Sequence, residues 1–189
     1  MRRPVRWWGR VADSAQPVGF LLHPASPLHD TGWGHPEHQG RLRALASAVG
    51  RDLLALDGKV VQITPGEASD EDLLRVHTPE HLASIRAAVE QAEQENTLVR
   101  IDADTIASPA SWDAAVGSSA ALLTAVERVA DGTLSSAFVA TRPPGHHATP
   151  NRAMGFCLVN HVAVAARWLQ ATGRAERVLI GRASCRERV

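Results

Sequence analysis

Short apolar runs alternating with amphipathic stretches along 189 residues predict an α/β fold: a parallel sheet with helices on both faces. Three observations carry this. Apolar runs at 18–22 and 137–140 suit buried strands, and the stretch Lys59 to Thr64 reads as a further strand. Between them, apolar residues recur at helical spacing, twice after a Ser/Thr-Pro start. Gly and Pro punctuate the runs, and no repeat, low-complexity tract or linker divides the chain, so one domain is expected.

Taken in order, residues 1–17 are basic and interrupted by arginines and an aspartate; they read as a disordered leader, not a signal peptide. Val18 to Leu22 form a short buried strand halted by His23-Pro24. Leu42, Leu45, Ala46 and Val49 recur at helical spacing, with Gly50 placed to end that helix. The strand at 59–64 closes at Pro65-Gly66. Thr78-Pro79 supplies a capping hydroxyl and a first-turn proline, after which Leu82, Ile85, Val89 and Ala92 line one helix face. Ser108-Pro109 repeats the device and opens a long helix containing Trp112, Val116, Leu123, Val126 and Val129, with Gly132 just past its end. A strand follows at 137–140, a helix at 162–170 that stops near Gly173, and a new strand beginning Arg177-Val178-Leu179.

Formal net charge is zero, so no field favours nucleic acid or an anionic membrane surface, and no apolar run is long enough to span a bilayer. Cys157 and Cys185 suggest no disulfide framework, which makes a reducing cytoplasm the default location.

The chemistry concentrates where the 137–140 strand ends, in Arg142-Pro143-Pro144-Gly145-His146-His147-Ala148. The prolines stop the strand, and Gly145 is expected to let the backbone turn sharply before the histidines. In open α/β sheets, ligands bind beyond the carboxyl ends of strands, and imidazole suits proton transfer near neutral pH. An isolated His-His in a loop is more often two exposed polar residues; here the neighbours change the odds. Two adjacent imidazoliums repel, so the pair is expected to share protonation. Cys157, with His161 four residues on, is either a nucleophile or, as its apolar run favours, a buried thiol. His77 and His81 have the spacing of a helical metal pair, but a helix that starts after His77 need not put them on one face. His35 and His38 read as loop residues.

Together, residues 142–148 and the run Met154-Gly155-Phe156-Cys157-Leu158-Val159-Asn160 closely resemble the histone deacetylase, acetylpolyamine amidohydrolase and acetoin-utilisation family, on the arginase–deacetylase fold. Weaker echoes lie at His35-Pro36-Glu37 with Arg41-Leu42-Arg43, at Val76-His77-Thr78-Pro79-Glu80, and at Asp102-Ala103-Asp104-Thr105, so the resemblance covers about His23 to Leu179 in consistent order. It implies zinc-dependent hydrolysis of an N-acetyl amide, on a small acetylated amine or an acetyl-lysine protein. By motif position His147 is the main general base and acid, and His146 its electrostatic partner. Gly155 and Phe156 line the tube for the acylated chain. Asp104 either holds the substrate's backbone N–H or is a solvated loop carboxylate; Arg41 lies near an inner exit channel or is a surface arginine.

The chain departs from the family after residue 179. There the resemblance implies an Asp-x-His segment with two zinc ligands, then a third aspartate and a catalytic tyrosine; this chain contains no tyrosine, and its residues 180–189 are the translation of a widely used sequencing adapter. The expected organisation is therefore a leader at 1–17, the N-terminal portion of one deacetylase domain at 18–179, and an adapter-derived tail at 180–189. The chain is expected to contain none of the family's metal ligands, to bind no cofactor and to be inactive as written. The alternative is a non-catalytic protein that binds acyl ligands or a partner chain.

Overall fold

The computed structural model describes residues 16–52 and 55–181. Most of the expected leader and of the adapter-like tail, Cys185 included, lie outside the described residues.

Strand β1 (Val18–Leu22) sits between β2 (Val60–Gln62) and β5 (Ser136–Ala140), and both pair with it in parallel. The alternation of β1 divides the core. Phe20 and Leu22 pack with Leu42, Leu45 and Val49 of α1 (Gly40–Asp52), while Leu21 packs with Ala121 and Ala125 of α4 (Ser111–Ala130) on the opposite face. Helices thus cover both faces, as the sequence predicts. Behind α4 lies the largest apolar cluster, in which Leu82 and Ile85 of α3 (Pro79–Gln94) meet Leu123, Leu158 and Val164, the last on α5 (His161–Ala171). Small residues make α4 a close-packing helix: a Cβ on Gly117 would fall 2.0 Å from the His23 ring.

Local chemistry sets the helix starts. Thr78 Oγ1 accepts from the His81 N–H, with Pro79 in the first turn, and the Asn160 side chain accepts from the Ala163 N–H to cap α5. Several boundaries differ from expectation. Gly50 does not end α1, which continues to Asp52; a single glycine costs a helix only about 1 kcal/mol. Helix α4 begins at Ser111, because the Ser111 hydroxyl folds back to accept from the Ser108 N–H and holds Ser108-Pro109 in a turn ahead of it. Helix α2 (Asp70–Leu74), the 3-10 turn Ser26–Leu28 and the hairpin of β3 (Val99–Arg100) with β4 (Ile106–Ala107) add to the expected elements. The strand expected from Arg177-Val178-Leu179 is not formed: these residues are exposed and, among the described residues, have no ladder partner.

Just past β5, Arg142 turns inward and is 1% exposed. Its guanidinium donates from Nε to Glu37 Oε1 at 3.0 Å, from Nη2 to the Glu37 carbonyl at 2.8 Å, and from Nη1 to the His29 carbonyl. Ser118 of α4 brackets the same residue's backbone: its hydroxyl donates to the Arg142 carbonyl at 3.0 Å and lies 3.3 Å from the Arg142 N–H. Burial pushes the Glu37 carboxyl up and the Arg142 guanidinium down, each against the other's opposing charge. Desolvation outweighs attraction, so the pair fixes the path of residues 29–39 more than it adds net stability. Breaking it from one side is costly. Glu37→Met and Arg142→Met are each expected to lower unfolding free energy by about 3–5 kcal/mol in urea titrations. A double variant with both residues replaced by methionine should lose less than the sum of the two.

Candidate active site

The strand end is held closed by contacts that leave no space at one position. Arg142–Pro143 is a cis peptide, and Gly145 follows in contact with the next motif: a Cβ there would lie 2.5 Å from the Val159 carbonyl oxygen and 2.7 Å from the His161 ring. Gly145 does not adopt a positive φ, so the expected reason for this glycine is corrected: it is close backbone approach, not a sharp turn. Beyond it His146 and His147 are both exposed, with ring centroids 4.3 Å apart. His146 borders a cavity of about 160 Å³ at the outer edge of β5, shared with Leu122, Val139, Thr141 and His161.

His147 packs against the second motif. Met154 and Cys157 exchange both backbone hydrogen bonds at 3.0 Å, and the two residues between them have φ of +57° (Gly155) and +69° (Phe156). This is a type I′ turn, which needs left-handed conformations at both corners. A Cβ on Gly155 would lie 2.9 Å from the His147 ring, so glycine lets the imidazole lie flush on the turn. Phe156 has no such exemption: a left-handed aromatic costs about 1–2 kcal/mol, and such strain clusters at functional sites. Its N–H donates to Thr105 Oγ1 at 3.1 Å, which holds it there. Thr105 Oγ1 also lies 3.4 Å from Asp104 Oδ1. His35 Nε2 donates to the Asp104 carbonyl at 3.2 Å, and its ring meets the Phe156 ring edge-on at 4.9 Å.

The residues singled out in the sequence therefore gather as one group: His146, His147, Gly155, Phe156 and Asp104. Thr105 and His35 join them. His35 read only as a loop residue, and the anchoring role of Thr105 carried no sequence signal beyond its place next to Asp104. Arg41 is set apart, largely exposed on α1 and 3.4 Å from Glu37 Oε1.

The remaining histidines are structural. His161 Nε2 donates to the Pro143 carbonyl at 3.1 Å and Nδ1 faces Ser119 Oγ at 2.9 Å; burial holds its pKa down to about 4. His29 is buried against Ser111 Oγ at 2.7 Å, and burial, then the Arg142 charge, lowers its pKa to about 3. His77 and His81 do meet, with centroids 4.8 Å apart, yet His77 Nε2 accepts the Asn160 N–H and His81 Nε2 donates to the Leu158 carbonyl, both at 2.9 Å. Burial, then His81, brings His77 to about 4. These rings are neutral braces. Cys157 is fully buried, its Sγ between the His147 N–H at 3.4 Å and the Gly155 carbonyl at 3.3 Å, while His161 is committed elsewhere; a Cys157–His161 nucleophilic pair is not formed.

Residues 35–180 match the histone deacetylase domain. The chain belongs to that family. It is 33% identical over 166 residues to histone deacetylase 5 of Arabidopsis thaliana, covering 85% of this chain and 25% of that protein. It is 32% identical over 164 residues to the histone deacetylase-like amidohydrolase of Pseudomonas aeruginosa, covering 87% and 40%. The crystal structure of the HDA15 HD domain superposes with a TM-score of 0.75 at 29% identity, over 84% of this chain and 44% of that one. The chain thus spans between a quarter and about half the length of these relatives, and the family's arginase–deacetylase fold accounts for the parallel sheet with helices on both faces. Among the described residues no helix is long and apolar enough to cross a membrane.

Two outcomes follow from this geometry. Gly155→Ala should push the His147 ring aside and cost about 1–2 kcal/mol from the left-handed backbone alone, read as a shift of the His147 ring protons together with a lower melting temperature. His29, His77 and His161 have pKa values of about 3, 4 and 4 when folded, against an ordinary 6.5. The folded chain therefore binds fewer protons than the unfolded one between these values. Stability should be fully present above pH 6.5 and fall progressively towards pH 4, seen as a declining urea midpoint.

Proposed function

We propose that this chain forms the proton-transfer and acyl-binding part of a zinc-dependent deacetylase site that hydrolyses N-acetyl amides, on acetyl-lysine or an acetylated polyamine, in the cytoplasm. One observation carries the reading: beyond a strand's carboxyl end stand two exposed imidazoles, one of which, His147, lies against a strained turn that includes Phe156. His147 takes a proton from the attacking water and returns one to the leaving amine, and His146 tunes its charge. Gly155 and Phe156 wall the tube that receives the acylated methylene chain, with Asp104 at the rim to accept a substrate N–H.

In such a site zinc supplies a Lewis acid for the acyl oxygen and acidifies the attacking water. The described residues do not fit that ion. No three His, Cys, Asp or Glu side chains gather among them, and the Nε2 atoms of His77 and His81 are spent on backbone groups. The chain also contains no tyrosine to polarise the carbonyl. We propose accordingly that residues 1–189 alone hold no zinc and do not deacetylate.

The test begins with genomic DNA beyond the codon for residue 179. An Asp-x-His segment followed by a further aspartate and a tyrosine is expected, and the joined protein should bind one zinc and release acetate. His147→Ala in that protein should lower kcat by about 10²–10⁴-fold with zinc content unchanged. A stop codon in frame after Val189, or stoichiometric zinc and hydrolysis by the 189-residue chain, overturns the reading; the former favours a non-catalytic acyl-ligand or partner-binding protein.

A further inference from the structure

Trp33 is 107% exposed, the extreme among the described large apolar residues. A bare indole in water is unfavourable, and its surroundings show that it is displayed rather than loosely placed. The His35 N–H bonds back to the Gly32 carbonyl at 3.4 Å, and Gly34 has φ +81°. This is a type II turn, with glycine at the position that demands it and Trp33 at the leading corner. The base of the turn is fixed on every side. Asp30 Oδ1 accepts from the Gly32 N–H, Thr31 Oγ1 donates to the Glu37 carbonyl, and the Asp30 N–H donates to Ser108 Oγ. Arg142 reaches both Thr31 and Glu37 from below.

Two contacts tie the turn to the mouth of the site. His35, two residues on from Trp33, packs edge-on against Phe156 and bonds the Asp104 carbonyl. Gly32 backs onto Leu98, whose Cδ1 would stand 3.1 Å from a Cβ there, beside the hairpin that carries Asp102 and Asp104. Asp30 lies in the turn's own base, and Asp102 and Asp104 follow Val99–Arg100 in the neighbouring hairpin, where the Arg100 guanidinium is turned onto the Ala103 carbonyl. An exposed tryptophan face attracts organic cations, and carboxylates on the adjoining segments add to that pull.

We propose that Trp33 is a specificity-determining rim residue that takes, by cation–π contact, a positive group carried by the substrate outside the tube. The preferred ligand is then an N-acetylated amine with a second ammonium or guanidinium beyond the acetamide. That chemistry has two sources, a free acetylpolyamine or a basic peptide around acetyl-lysine. The inference rests on the tube reading above.

The experiment is fluorine NMR of the 189-residue chain labelled with fluorotryptophan, with the Trp33 signal assigned by its loss in Trp33→Leu; full exposure makes that variant safe for folding. Three probes are titrated while the ring protons of His147 report on the tube: neutral N-butylacetamide, monoacetylspermidine, and a tripeptide with acetyl-lysine between two arginines. All three should move the His147 signals, and only the cationic probes should move Trp33. Whichever cationic probe binds more tightly identifies the source. Trp33→Leu should reduce the ratio of cationic to neutral probe affinity about two- to fivefold, the range of an exposed cation–π contact. If His147 responds but Trp33 is silent, or moves equally with N-butylacetamide, the rim proposal is overturned and the tube reading stands. If His147 responds to none of the probes, the tube reading fails and takes the rim proposal with it.

Discussion

The buried guanidinium of Arg142 is the fixed point of this molecule. It stands one residue before the cis proline, with one hydrogen-bonding atom on Glu37 Oε1 and others on backbone carbonyls of residues 29 and 37. An irregular loop of this length has many conformations to lose. A charge that cannot reach water makes the choice, because every other arrangement leaves it unpaired in the interior. Among the described residues Glu37 Oε2 has no hydrogen-bond partner, which fits a pair selected for geometry more than for stability. Through this contact, strand β5 and the loop after β1 become one rigid body. The histidines belong to the first and His35 to the second.

A division between two kinds of histidine follows from burial. His29, His77 and His161 lie within the packed interior, where desolvation favours the neutral ring, and each pins chain segments distant in sequence. His161 is the clearest case: it joins α4, through Ser119, to the Pro143 carbonyl in the segment after β5. His146 and His147, which follow that segment, are exposed. The interior imidazoles thus brace the chain on either side of the exposed pair.

Where periodicity and capping act locally, the sequence is readable. Strand β1 and the start of α3 follow from an apolar run and from Thr78-Pro79. The convergence of His147, Gly155, Phe156 and Asp104 is readable only through the resemblance of the two motifs, since nothing in spacing alone unites residues 50 apart. Other features depend on tertiary contacts and leave no local trace. Helix α2 is five residues of DEDLL, too short for a periodic signal, although Ser69 and Asp72 do form a capping box. The α4 start shifts because one serine folds back on another. The burial of Arg142 cannot be inferred from a sequence in which an arginine before proline looks like any turn residue. Gly145 was readable as essential but for the wrong reason, because the carbonyl it meets belongs to Val159 on the next segment.

Much of the cluster around His147 and Phe156 is contiguous in sequence. The segment Met154 to Cys157 is a four-residue turn, fixed by hydrogen bonds between its end residues and braced through Phe156 on Thr105. Its neighbour His147 sits eight residues before Gly155, linked through its own N–H to Cys157 Sγ. Asn160 then joins both pieces to the interior: its side chain donates to the Ala148 carbonyl, its backbone to His77, and its amide oxygen caps α5. The relative positions of His147, Gly155 and Phe156 are therefore set largely by neighbours in sequence, with Thr105 and His77 as braces from outside. A metal cage of the kind the family implies needs ligands converging from separate segments in fixed geometry, which is a non-local requirement. Local turn chemistry and a converging metal cage are physically different problems, and only the first can be met by neighbours in sequence.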